Sequence, residues 1–272
     1  MPYFTKIIFL LLIVGNTLAA QHLSGIFQPS EAALEYVEQV DWPTFLAQDE
    51  RLNAEGFRLT NLETTGIGAD RRYWGIFTES TLRDTLLKTN SWADFVQAKR
   101  SMAAAGFILS RVQAYALSET DAHFIGVWYR DETNTPHKIW KLDTPESVRE
   151  KTDDMANQQY YLQDVEVFLT PGGTANYLAI YHYAPIPIRN YVYITSDENT
   201  FYKDLRQRYQ SKIRLVDLEQ YAGKDGSYLL GVYQPGTYDS QLVLNQTRAD
   251  FNGKWEQLEK GKLKLVSWEV RD

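Results

Sequence analysis

Residues 56–77 read Gly56-Phe-Arg-Leu-Thr-Asn-Leu-Glu-Thr-Thr-Gly66-Ile-Gly-Ala-Asp-Arg-Arg-Tyr-Trp-Gly75-Ile-Phe77. Gly56 can take the positive φ that ends a helix. Phe57 and Leu59 alternate on one strand face, and the apolar phase then slips by one residue to Leu62, the mark of a β-bulge. Gly66-Ile-Gly68 has the composition of a hairpin turn. Tyr73-x-Gly75-x-Phe77 places two rings and a small residue on one face of a returning strand, where the small residue lets another group come close.

This hairpin is repeated. Gly75-Ile-Phe77 is matched by Gly25-Ile-Phe27, Gly126-Val-Trp128, Ala179-Ile-Tyr181 and Gly231-Val-Tyr233, at spacings of 50, 51, 53 and 52 residues. Trp42-x-x-Phe45 returns as Trp92-x-x-Phe95. Leu62 is matched by Val112, Val165, Leu218 and Trp268. Each copy also carries a helix: about 44–55, 92–105, 145–157, 198–211 and 248–260. Ser91 with Asp94, Thr247 with Asp250, and Thr144 before Pro145 supply N-terminal caps. The incoming strands are expected over 57–65, 107–115, 160–168, 213–221 and 263–270. A third strand follows in each copy, at 84–89, 137–142, 190–195, 240–245 and, by the repeat spacing, 34–40.

The fold class is therefore α+β: five α-β-β-β repeats of about 50 residues with mostly antiparallel strands. The chain starts in an outgoing strand at 22–28 and ends after an incoming one, so one hairpin is split between the termini. This predicts paired termini and a closed ring or barrel-like array with helices outside. An open, curved array with capping ends is the other arrangement such repeats adopt.

Residues 1–20 read as a signal peptide: Lys6, the apolar run Ile7–Val14, and Leu18-Ala19-Ala20 before the cut. Residues 21–272 would then be a single five-repeat domain, secreted or periplasmic. The apolar run is too short for a membrane span, which takes roughly 20 residues, and no later segment is long and apolar enough. The net charge is −7, and loss of residues 1–20 removes one lysine and no acid. An acidic chain is a poor nucleic-acid partner. The absence of cysteine excludes disulfides, thiolate metal sites and cysteine nucleophiles, so burial alone must hold the fold.

The stretch 56–79 and its copy Gly106-Phe-Ile-Leu…His123-Phe-Ile-Gly-Val-Trp128 resemble the bacterial tandem repeat family, the repeat region of polyglycine hydrolases and related secreted proteins. In those proteins the repeats sit beside a β-lactamase-like serine hydrolase domain. The resemblance implies that they assist substrate binding and leave the chemistry to that domain. The 272 residues hold no counterpart of it, so no activity is carried over.

Chemistry is sparse in the sequence. Neither Ser-x-x-Lys nor Gly-x-Ser-x-Gly occurs. His22, His123, His137 and His182 form no His-x-x-x-His pair, and no calcium-loop spacing appears, so no catalytic residue, metal or cofactor is assigned. One polar position stands out: Glu63, Gln113, Glu166, Glu219 and Glu269, long and polar in all five copies. The ordinary reading is a solvated outer face or pairing with arginines such as Arg58, Arg72 and Arg214. The sharper reading is a polar channel that binds a cation or a basic ligand, in which gathered carboxyls raise one another's pKa. The function expected is a binding or scaffold protein for a polypeptide or glycan, reached through polar hairpin tips. The alternative is a hydrolase, or an accessory subunit of a secreted serine hydrolase or peptidase.

Overall fold

The computed structural model describes residues 21–224 and 226–271; the expected signal peptide lies outside the described residues. The chain opens with β1 (His22–Pro29). Unit one follows with β2 (Leu34–Val40), α1 (Trp42–Ala54), β3 (Phe57–Thr65) and β4 (Arg72–Glu79). Unit two has β5 (Asp84–Thr89), α2 (Trp92–Ala104), β6 (Phe107–Ala116) and β7 (Ala122–Arg130). Unit three has β8 (His137–Leu142), α3 (Pro145–Asn157), β9 (Tyr160–Leu169) and β10 (Ala175–Tyr183). Unit four has β11 (Tyr191–Thr195), α4 (Glu198–Gln210), β12 (Ile213–Gly223) and β13 (Gly226–Pro235). Unit five has β14 (Gln241–Thr247), α5 (Arg248–Lys260) and β15 (Leu263–Arg271), with β1 as its outgoing strand.

Each helix is held at both ends. Asp41, Ser91, Thr144, Asp197 and Thr247 accept from the backbone N–H three residues on, satisfying a donor the helix itself leaves open. Gly56 and Gly106 then take φ of 91° and 83°. The same left-handed slot is filled by Gln159, Lys212 and Lys262 in the other units. All five incoming strands carry a register shift at the same place, after Leu59, Leu109, Leu162, Leu215 and Leu265. The bulge lets Leu59 and Leu62 both join Phe45 and Phe77 in the core, while Asn61, Glu63 and Thr65 take the opposite face.

The expected closed ring or barrel-like array of strands is not formed: among the described residues no hydrogen-bonded ladder runs from unit to unit. The strands make five separate three-stranded sheets, ordered β2-β4-β3, β5-β7-β6, β8-β10-β9, β11-β13-β12 and β14-β1-β15, with no ladder joining one sheet to the next. Within the last sheet, the strands from the two ends of the chain pair antiparallel, His22 opposite Arg271 and Pro29 opposite Leu263. The physical reason for separate sheets is side-chain packing. Each unit's helix covers one face of its own sheet, and the other face plugs the preceding unit's core. Ile125 and Val127 of unit two enter the core of unit one. Leu178 and Ile180 enter unit two, and Leu230 and Val232 enter unit three. Ile26 enters unit four, while Trp74 and Ile76 of unit one enter unit five. No unit completes its core alone, as expected of repeat architectures.

The small residue of each outgoing strand sits under the helix. A Cβ on Gly75 would lie 2.9 Å from Leu59 Cδ1 and 3.0 Å from Phe45 Cε2. Unit three carries Ala179 there, and its helix offers Val148 where the others offer Phe45, Phe95, Phe201 and Phe251. Ring and hydrogen trade against two methyl-bearing residues. Gly75→Ala should cost about 1–3 kcal/mol from overpacking. Adding Phe45→Val should cost less than it does in the wild-type background, measured by urea unfolding. Simple additivity of the two changes would refute this account of the site.

Candidate functional site

The incoming strand is the inner edge of every sheet, and these edges meet: β3 packs against β6, β6 against β9, β9 against β12, β12 against β15, and β15 against β3. An edge strand exposes every second N–H and C=O to whatever lies beside it. Here side chains from the next unit supply the partners. Asp164 accepts from Val112 N–H at 2.9 Å and Glu166 from Ala114 N–H at 3.1 Å. Asp217 accepts from Val165 N–H at 3.2 Å and Glu219 from Val167 N–H at 2.8 Å. Glu269 accepts from Gln220 N–H at 3.3 Å. Between units one and two the polarity reverses, and Arg111 Nε donates to Thr60 O at 2.9 Å.

Glu63, Gln113, Glu166, Glu219 and Glu269 thus come together, each 4–7% exposed. The solvated outer face is overturned. A second tier, two residues earlier on the same strands, was not singled out from the sequence: Asn61, Arg111, Asp164, Asp217 and Ser267. It varies in chemistry from copy to copy and offers no pattern to read, although Arg111 paired with Asp164 and 3.7 Å from Asp217 is its organising group. Gln113 Nε2 donates to Glu166 at 2.7 Å. The amide oxygen, Gln113 Oε1, is buried with no partner, as is Asn61 Oδ1.

Six carboxyls share this region with one guanidinium, and their acidities reflect it. Burial pushes the Glu63, Glu166 and Glu219 carboxyls well above the usual range, with repulsion among the acids adding to it. Glu269 is pushed up to about 8 by burial first and by Asp217. Asp164 rises to about 7 through burial, held down by Arg111. Burial also raises Asp217. For Arg111 burial opposes the charge, and the two aspartates outweigh it. Among the described residues, no group of three or more His, Cys, Asp or Glu is placed to hold a metal ion.

A cavity of about 630 Å³ runs from the hairpin tips down to the glutamate tier. Its mouth includes Gly66, Ile67, Gly68, Leu117, Thr170, Pro171 and Ala222; its waist is Thr65, Tyr115, Phe168, Tyr221 and Arg271. The tips are less polar than expected: Ile67 is 82% exposed and Leu117 52%. Arg71 lies over the Tyr115 ring at 3.7 Å. The leading rings of the outgoing strands, Tyr73, Phe124 and Tyr177, are buried in the core, and Tyr228 is half-buried. His137 and His182 are also buried, and burial lowers both to about 4.

Three stretches of the chain, residues 39–80, 91–131 and 143–184, match the polyglycine hydrolase-like structural repeat. The region 39–184 belongs to that repeat family. Its matched segments are units one to three of the structure, and units four and five continue the same helix and three-stranded sheet. No curated protein matches the chain. No described helix is long and apolar enough to cross a membrane.

Two predictions follow from the charge balance. Carboxyls with raised folded-state pKa bind protons more tightly than the unfolded chain, so their contribution to stability is full below the unfolded carboxylate range and is lost as pH rises through about 7–8. His137 and His182 act the opposite way, but only below about 6.5. The melting temperature should therefore fall between pH 6.5 and pH 9; a flat or rising profile by calorimetry would refute the buried tier. Arg111→Met, which strands Asp164 and Asp217, should cost about 3 kcal/mol or more at pH 8. The cost should shrink at pH 5.5, where both acids can hold protons, as read by denaturant titration at the two pH values.

Proposed function

We propose that this protein is a secreted binding or scaffold module that takes a polypeptide or glycan into the cavity between its hairpin tips. The cavity carries the reading. It is the place where the inner strands of all five units converge, so a ligand there is contacted by the whole repeat array. Its mouth combines backbone-rich turns with the exposed apolar residues Ile67 and Leu117, a surface suited to an extended chain. The carboxyls at its inner end are engaged in holding neighbouring strands, which favours recognition over turnover.

A second reading has one observation of its own. Buried acids with raised pKa beside Tyr115 and Tyr221 in a deep pocket resemble the surroundings of acid–base chemistry. A hydrolase, or an accessory subunit of a secreted serine hydrolase or peptidase, would fit it, and the matched family takes its name from polyglycine hydrolase. The two readings part in one experiment. Purified protein is titrated against glycine-rich peptides and neutral oligosaccharides, and the same mixtures are assayed for cleavage. Saturable binding without turnover is the expected result. Turnover that survives purification and is lost in Glu219→Gln would replace binding with catalysis.

A further inference from the structure

Two residues that line the proposed binding cavity each carry a buried polar atom without a partner, and the two have opposite needs. Gln113 Oε1, on a residue 4% exposed, is an acceptor without a donor at the inner end. Arg271 Nε, at the waist, is a donor without an acceptor. A buried acceptor left open costs about 1–3 kcal/mol, so a ligand donor placed there gains what the free protein lacks. Beside Gln113 stand Glu63, Glu166, Glu219 and Glu269, which only a donor can satisfy when ionised.

The waist decides how such a donor can arrive. Tyr115, Phe168 and Tyr221 lie two residues nearer the mouth than the glutamate tier, and two strand residues span about 7 Å. A donor that reaches the tier passes these rings, and a four-carbon apolar stem such as that of lysine spans the distance while keeping its ammonium at the far end. Arg271 Nε would meanwhile meet a carbonyl oxygen of the ligand's backbone. We infer that the cavity recognises a polypeptide by a lysine side chain, its ammonium seated on the glutamate tier beside Gln113 Oε1 and its backbone carbonyl facing Arg271. A metal ion is a poorer occupant, since no three of the described acids converge on one point. An amino sugar is poorer too, because its amine sits directly on the ring, with no stem to span the roughly 7 Å from the aromatic side chains to the tier.

This inference rests on the binding reading, and the test separates the two. The full secreted protein is titrated by calorimetry with four probes: a Gly-Lys-Gly-Lys-Gly peptide, its Nε-acetylated form, pentaglycine, and a deacetylated glucosamine oligomer. The lysine peptide should bind, with acetylation weakening it about tenfold or more, the worth of one charge-assisted hydrogen bond. Glu219→Gln should weaken the lysine peptide similarly and leave the acetylated peptide unchanged. The amide keeps an oxygen for the N–H of Val167. Glu63→Gln, whose carboxyl accepts from the Asn61 side chain, serves if the first variant is unstable. Equal binding of the lysine and acetylated peptides, or of pentaglycine, would overturn the lysine inference while leaving a peptide-binding protein. Binding of the glucosamine oligomer alone would overturn it in favour of a glycan. Binding of none would overturn both readings.

Discussion

A carboxylate reaching across to the backbone N–H of a neighbouring strand holds this molecule together at its centre. The inner edge of each sheet is a strand that would otherwise present unpaired donors, the feature that invites uncontrolled pairing in β-proteins. Another strand could have paired there and merged the sheets. Instead Asp164 and Glu166 serve β6, Asp217 and Glu219 serve β9, and Glu269 serves β12. Because the partners are side chains, the sheets stay separate and can turn their faces to one another. That orientation lets Trp74 pack edge-on to Trp268 at 5.7 Å and lets each unit finish the core of the one before it.

The same choice explains the electrostatics. A buried ionised carboxylate is costly unless paired or hydrogen-bonded, and these acids are met mainly by backbone N–H groups, by an amide and by Arg111, with Arg271 near Glu269. Retaining a proton is the cheaper state for several of them, and the raised pKa values of Glu63, Glu166 and Glu219 express this. Elsewhere the chain repeats the device on a smaller scale. Asp84 accepts from Leu59 N–H, Asn190 from Leu162 N–H, and Asp49, pressed by burial and by Asp84, is raised to about 8.

Much of this was readable from sequence because repetition multiplies weak signals. One small–x–aromatic run is ambiguous; five at near-equal spacing place the hairpins, the bulges and the third strand at 34–40, which alone could pass for a helix. The position of Glu63 and its equivalents was found in the same way. Its surroundings were not. A polar residue alternating with Leu62 on a strand reads as a water-facing side, and nothing local distinguishes water from the inner edge of another sheet. The joining of sheets was misjudged for a related reason: termini that pair within one sheet do not imply that the sheets pair with each other. The compensation of Val148 for Ala179 was present in the sequence, but it needs the helix seated on the strand before the two positions can be connected.

The five copies are not equal, and their inequality lies where the cavity ends. A tier of five identical acids above a tier of further acids would gather charge that no burial could tolerate. β6 departs from the pattern twice, with Arg111 in the lower tier and Gln113 in the upper. Arg111 binds Asp164 and reaches Asp217, relieving the two aspartates of the lower tier. Gln113 gives one hydrogen bond to Glu166 and keeps an oxygen over. Stability alone would be served as well by an apolar residue at 113, which would bring no unpaired acceptor into a buried site. The amide instead leaves an oxygen without a donor among the acids, so the one position of the glutamate tier freed from charge still asks for a donor.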